Sequence, residues 1–211
     1  MGKMTNNKAV ISGMVINEPE YLYEGRKGEF SLIYIECTRL SGRNDIIPVI
    51  VSENLLEGNP LHAGDLILVD GRVNVYHDNK SGHMYPRILA DKILPYGGAD
   101  ENYIWMEGIL REKPNYKVTP TGRHLSNFLL YVKRPKLYSH TVPCLAWGTN
   151  ADFIESMKYG SSFEVEGRFQ SREYKKSGEW KTAYEVSLAK ITLVEEMDEN
   201  SNAKKNETGE L

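Results

Sequence analysis

Phe163 to Leu188, FEVEGRFQSREYKKSGEWKTAYEVSL, alternates in character from one residue to the next. Phe163, Val165, Phe169 and Ser171 fall on one side of the pattern. Arg168, Gln170, Arg172 and Tyr174 fall on the other, so an extended strand presents two guanidiniums and a phenol together. The KKSGEWK that follows sets a Ser-Gly turn among Lys175, Lys176, Lys181 and Trp180, and Ala183 to Leu188 returns as a second strand. The stretch predicts a hairpin with one apolar face and one face of cations and rings. Such a face suits single-stranded nucleic acid, a flexible polyanion with stackable rings. It is equally what an ordinary solvated strand carries.

A weaker copy of this hairpin lies earlier in the chain, as part of a longer internal repeat. Asn7 to Gly13 (NKAVISG) is answered 95 residues later by Asn102 to Gly108 (NYIWMEG). Pro19 and Pro48 are answered by Pro114 and Pro143 at the same offset, and Lys80-Ser-Gly82 by Lys176-Ser-Gly178. GDLILVDGR, ending at Arg72, matches GSSFEVEGR, ending at Arg168. The order of these matches predicts two homologous domains, 1–96 and 102–194, a linker over 97–101 and a disordered acidic tail over 195–211.

Each copy reads as five strands; in the second they fall near 103–111, 126–134, 140–147, 161–174 and 182–194. Residues 149–158 are the helical candidate, with Thr149 or Asn150 as cap and Phe153, Ile154 and Met157 along one side. Its counterpart in the first copy is interrupted by Gly58 and Pro60. Five short strands with one small helix between the third and fourth predict an all-β chain of two tandem OB-fold barrels.

Composition bounds the function. The chain has 211 residues, 40% hydrophobic and 26% charged, and no apolar run long enough to span a membrane. Two distant cysteines, Cys37 and Cys144, lack metal-site or disulfide-framework spacing, so no cofactor or metal is expected and the location predicted is cytoplasmic. No nucleophile–base pairing or phosphate-cradling GxxxxGK motif points to an enzyme, and the five histidines read as surface or loop residues. The net charge of −3 conceals an uneven distribution: −2 over 1–99, +3 over 100–194 and −4 in the tail. A binding face therefore has to come from clustering of charge.

Both copies resemble a domain of the bacterial single-stranded DNA-binding protein family. The second is the better match, through Gly108 and Pro114, through TVPCLAWGTNADF, and through YGSSFEVEGRFQSREY. The first keeps AGDLILVDGRVNVYH but has Val51-Ser52 where Trp147-Gly148 stands. The resemblance implies base stacking by Trp147 and Tyr174, while two further family platforms fall on Thr141 and near Lys136 to Tyr138.

The residues themselves give a parallel reading. Val142, Cys144 and Ala146 share an inward phase, which leaves Trp147 outward, as a stacking platform or an interface residue. Tyr131, Lys133, Arg134, Lys136 and Tyr138 form a second basic and aromatic cluster, and Trp180 at the hairpin tip stacks or makes an oligomer contact. Trp105 reads as structural. In the first copy Arg72, Tyr76 and Tyr34 hold equivalent positions, and its negative charge makes it the weaker binder or an assembly module.

The expected function is sequence-tolerant binding of single-stranded DNA in replication, recombination or repair. The alternatives are RNA binding and a protein–protein scaffold of a replication or primosome assembly. The resemblance also implies a homodimer presenting four OB folds. The tail of that family recruits replication and repair proteins through a Pro-Phe tip, which the Thr-Gly-Glu-Leu211 ending lacks.

Overall fold

The computed structural model describes residues 6–26, 28–134 and 137–195, without the side chains of 134, 137, 138 and 195. The chain runs β1 (Asn7–Val15), β2 (Glu20–Gly25), β3 (Gly28–Thr38), β4 (Asn44–Ser52), α1 (Glu53–Gly58), β5 (Leu66–His77) and β6 (Met84–Pro95). It then repeats as β7 (Asn102–Leu110), β8 (Asn115–Val118), β9 (His124–Arg134), β10 (Leu137–Trp147), α2 (Thr149–Glu155), β11 (Ser162–Lys176) and β12 (Glu179–Glu195).

Each copy closes on itself. In the first, β1 pairs with both β3 and β5, β3 with β4, β4 with β6 in parallel, and β6 with β5. The second repeats the circuit with β7, β9, β10, β12 and β11. Five strands closed through one parallel pair, with a helix after the third, make each copy an OB-fold barrel. The expectation of five strands per copy needs one addition. Among the described residues, short strands β2 and β8 pair only with β3 and β9 respectively, at the two ends of the combined sheet.

The period-two pattern accounts for the interior. Along β7, Ile104, Met106 and Leu110 are buried while Tyr103, Trp105 and Ile109 face outward. Phe163, Val165 and Phe169 on β11 are fully buried, and Ile33, Ile35, Ile47 and Ile88 fill the first barrel in the same way. Each such side chain contributes about 1.5–3 kcal/mol of burial.

The repeated residues have structural causes. Asn7 accepts the backbone N–H of Val73 and donates to its carbonyl, both at 2.9 Å. Asn102 does the same to Phe169, at 2.8 and 2.7 Å. The shared Gly71 and Gly167 stand beside irregularities in the β5–β6 and β11–β12 ladders. A Cβ on Gly167 would lie 2.3 Å from the Ser187 carbonyl oxygen, and one on Gly71 equally near that of Leu89. Only glycine permits that approach.

Two local expectations are corrected. The second helix is shorter than 149–158, and its N-cap is Gly148 at φ 56°, with no side-chain cap bond, in place of Thr149 or Asn150. Gly148 tolerates the left-handed backbone that turns β10 sharply into the helix. Phe153, Ile154 and Met157 do pack against the core.

The two barrels share a continuous sheet. β1 pairs antiparallel with β7, from Asn7↔Met106 to Ile11↔Asn102. Around this seam Ser12 N–H donates to the Glu101 carbonyl at 2.8 Å, and Glu101 N–H to the Ser12 hydroxyl at 2.6 Å. His140 corrects the reading of all histidines as surface residues: it is buried, and its Nδ1 accepts the Val75 N–H of the other barrel at 3.3 Å.

Candidate nucleic-acid interface

A groove of about 1060 Å³ opens between the barrels, over the β9–β10–β12–β11 face of the second. Strand β10 ends at Trp147, whose outward phase leaves it half-buried on the groove wall. The turn between β8 and β9 sets Arg123 above it. Thr119 Oγ1 accepts the Arg123 N–H at 2.9 Å, and the guanidinium rests 4.4 Å from the Trp147 ring. A cation at that distance is attracted to the indole face and holds the ring in place.

Strand β11 supplies Arg168 and Arg172. Between them Gln170, expected on the outer face with them, is buried because it donates to Glu185 Oε1 at 2.8 Å. Arg172 meets the same carboxylate at 3.5 Å. Tyr184 of β12 also lines the groove.

The opposite wall comes from the first barrel. The turn from Arg39 to Arg43 joins β3 to β4, and both arginines line the groove. Arg39 forks onto Asp45 at 2.5 and 2.6 Å. Asp45 is fully buried and also accepts the Ser171 N–H of β11 at 2.8 Å, while Ser171 Oγ accepts the Ile46 N–H at 2.9 Å. This lock fixes a turn of one barrel against strand β11 of the other.

Six cations therefore line the groove, Arg39, Arg43, Lys117, Arg123, Arg168 and Arg172, against the two carboxylates Glu173 and Glu185. Arg43, Lys117, Arg123 and Arg168 have no carboxylate partner among the described residues. Partial desolvation within the groove, with the Arg39 charge nearby, holds Arg168 below the usual guanidinium range. A polyanion entering here would meet unneutralised charge beside an indole face.

Of the residues read from sequence, Trp147, Arg168 and Arg172 come together here. Tyr174 follows on β11, half-buried, with Arg172 5.8 Å from its ring. Lys175, Lys176 and Trp180 sit at the exposed hairpin tip, where Ser177 and Gly178 both have positive φ, the geometry of a tight two-residue turn. Tyr131 and Lys133 instead line a separate depression with Tyr159 and Arg111, whose guanidinium lies 3.6 Å from the Tyr131 ring. Lys136 and the side chains of Arg134 and Tyr138 lie outside the described residues, as does the acidic tail beyond 195.

The first-barrel candidates stay apart from this groove. Arg72 is paired with Asp91. Tyr76 is exposed beside Tyr85, with Arg87 within 6.0 Å of both rings, and Tyr34 is half-buried. What the sequence reading missed was Arg39, Arg43, Lys117, Arg123 and Tyr184. A signal was present: Arg39-Leu-Ser-Gly-Arg43 repeats the basic Ser-Gly turn that singled out the later hairpin.

Residues 101–194 match the model of the Single-strand binding protein family. The second barrel is similar to that family along its whole length. A single-stranded DNA-binding protein of Halalkalibacterium halodurans is 31% identical over 80 residues, covering 35% of this chain and 48% of that protein. The chain thus spans about half the length of the curated relative it matches. The crystal structure of the wild-type single-stranded DNA-binding protein from Thermus aquaticus superposes with a TM-score of 0.70 at 18% identity, over 91% of this chain and 94% of that one. A deletion mutant of the same protein gives 0.70 at 19%, over 92% and 97%. These structures share the fold of both barrels, while the family model matches the second.

Proposed function

We propose that this chain binds single-stranded DNA with tolerance of sequence and serves replication, recombination or repair. The observation that carries the reading is the groove lined by Trp147, where four cations without carboxylate partners among the described residues share the lining with a half-buried indole. Cations neutralise phosphates, and a ring stacks on any base, at roughly 1–3 kcal/mol per base. The match of the second barrel to the single-strand binding family supports the same ligand.

Trp147, Arg123, Arg168 and Arg172 form the centre of the site, with Tyr174 and the tip residues Lys175, Lys176 and Trp180 extending it. The first barrel, with Arg72 neutralised by Asp91, serves chiefly assembly. The chain works as a cytoplasmic homodimer carrying four barrels. Supporting this, Met14 and Leu66 face each other across β1 and β5 and are exposed, as is Leu94 on β6. Light scattering tests the stoichiometry, and a monomer at micromolar concentration contradicts it.

Titration with oligo-dT, and with RNA of matched length, tests the function. Binding of DNA that weakens steeply with salt supports it, whereas preference for RNA, or no binding of either, overturns it.

A further inference from the structure

We propose that the DNA backbone is gripped from both barrels at once, with phosphates held between Arg43 of the first and Arg168 of the second. Each chain then carries one composite groove instead of two independent sites. This inference rests on the single-stranded DNA reading above.

The geometry points to an anion at this place. Arg39 and Arg43 sit on a turn of the first barrel yet line the groove whose floor is β11 of the second. Arg39 is already committed to Asp45, and that carboxylate is committed to the Ser171 N–H. Arg43 is exposed and has no carboxylate partner among the described residues, as is also true of Arg168. Like charges from two barrels thus converge on one concavity, an arrangement that costs energy until an anion enters. The Asp45–Ser171 lock supplies the rigidity such a grip requires. At the matching positions of the first barrel Val51-Ser52 replaces the ring and Asp91 pairs with Arg72.

The test uses the full chain and oligo-dT, with affinity measured across a range of salt concentrations. Single-strand binding loses about 0.7 in the slope of log K against log salt for each phosphate contact removed. Arg43→Ala and Arg168→Ala are each expected to lower the slope by about that amount. Lys92→Ala, an exposed cation on β6 away from the groove, is expected to leave it unchanged. Arg43 lies on an exposed turn held by backbone hydrogen bonds, including Arg39 N–H to the Arg43 carbonyl at 2.7 Å, so the alanine variant keeps the turn. An unchanged slope for Arg43→Ala, with binding by the unaltered chain intact, overturns the composite grip alone. Absence of binding by the unaltered chain overturns the grip and the functional reading together.

Discussion

The guanidinium of Arg123 lies 4.4 Å from the ring of Trp147, so the principal aromatic of the groove is capped by a cation from a neighbouring turn. The pair combines the two interactions that single-strand binding needs, a π-face and a positive charge. It also keeps the indole oriented before the ligand arrives. Replacing Arg123 by alanine removes a charge and frees the ring. Affinity for oligo-dT should fall and its salt slope should flatten, while the melting temperature stays nearly unchanged because both groups lie at the surface.

The asparagine clamps are a prediction about stability alone. Asn7 and Asn102 each satisfy both backbone groups of a residue on the neighbouring strand. Alanine at either position strands a donor and an acceptor, at a cost of about 1–3 kcal/mol. Urea unfolding should show the loss for Asn7→Ala and Asn102→Ala alike, with DNA affinity retained below the transition.

Gly167 must remain glycine on steric grounds. An alanine Cβ would meet the Ser187 carbonyl oxygen at 2.3 Å, so the strands have to separate. Overpacking of this kind costs about 1–3 kcal/mol. Gly167→Ala should lower the melting temperature and, because Arg168 is the next residue, weaken oligo-dT binding as well.

Both thiols are sealed. Burial, aided by the charges of Asp100 and Asp45, pushes Cys37 up to about 12, and burial pushes Cys144 higher still. A thiol with a raised pKa stays protonated, and therefore unreactive, at every pH below it. Neither cysteine should react with a thiol reagent at pH 8 in the native protein, and both should react once urea has unfolded it. Rapid native labelling at either position contradicts the packing described here.

The residues that were legible in sequence are those whose signal is local. Alternation along β11 placed Phe163, Val165 and Phe169 inside and Arg168 and Arg172 outside, and the 95-residue repeat gave the second barrel from the first. Strands β2 and β8 were missed because Tyr21, Tyr23 and Val118 are exposed, so their sequences lack the apolar face that marks a strand. They exist only as additions to β3 and β9. Gln170 and His140 looked like surface residues because a buried polar side chain is recognised by its partner, here Glu185 and the Val75 N–H, and sequence order does not reveal partners. Arg39 and Arg43 escaped for the same reason. Their groove lies on the other barrel, roughly 130 residues along the chain.

The most direct test is a fluorescence titration of Trp147→Ala against the unaltered chain, using oligo-dT at low and high salt. The account predicts strong quenching of the unaltered protein that weakens with salt. In the variant that quenching should be much reduced and the affinity lower by about 1–3 kcal/mol, the worth of one stacked base. Trp105 remains as an internal reference for the fold. Equal quenching and equal affinity in the two proteins would mean that the strand binds elsewhere, and the groove between the barrels would lose its assigned role.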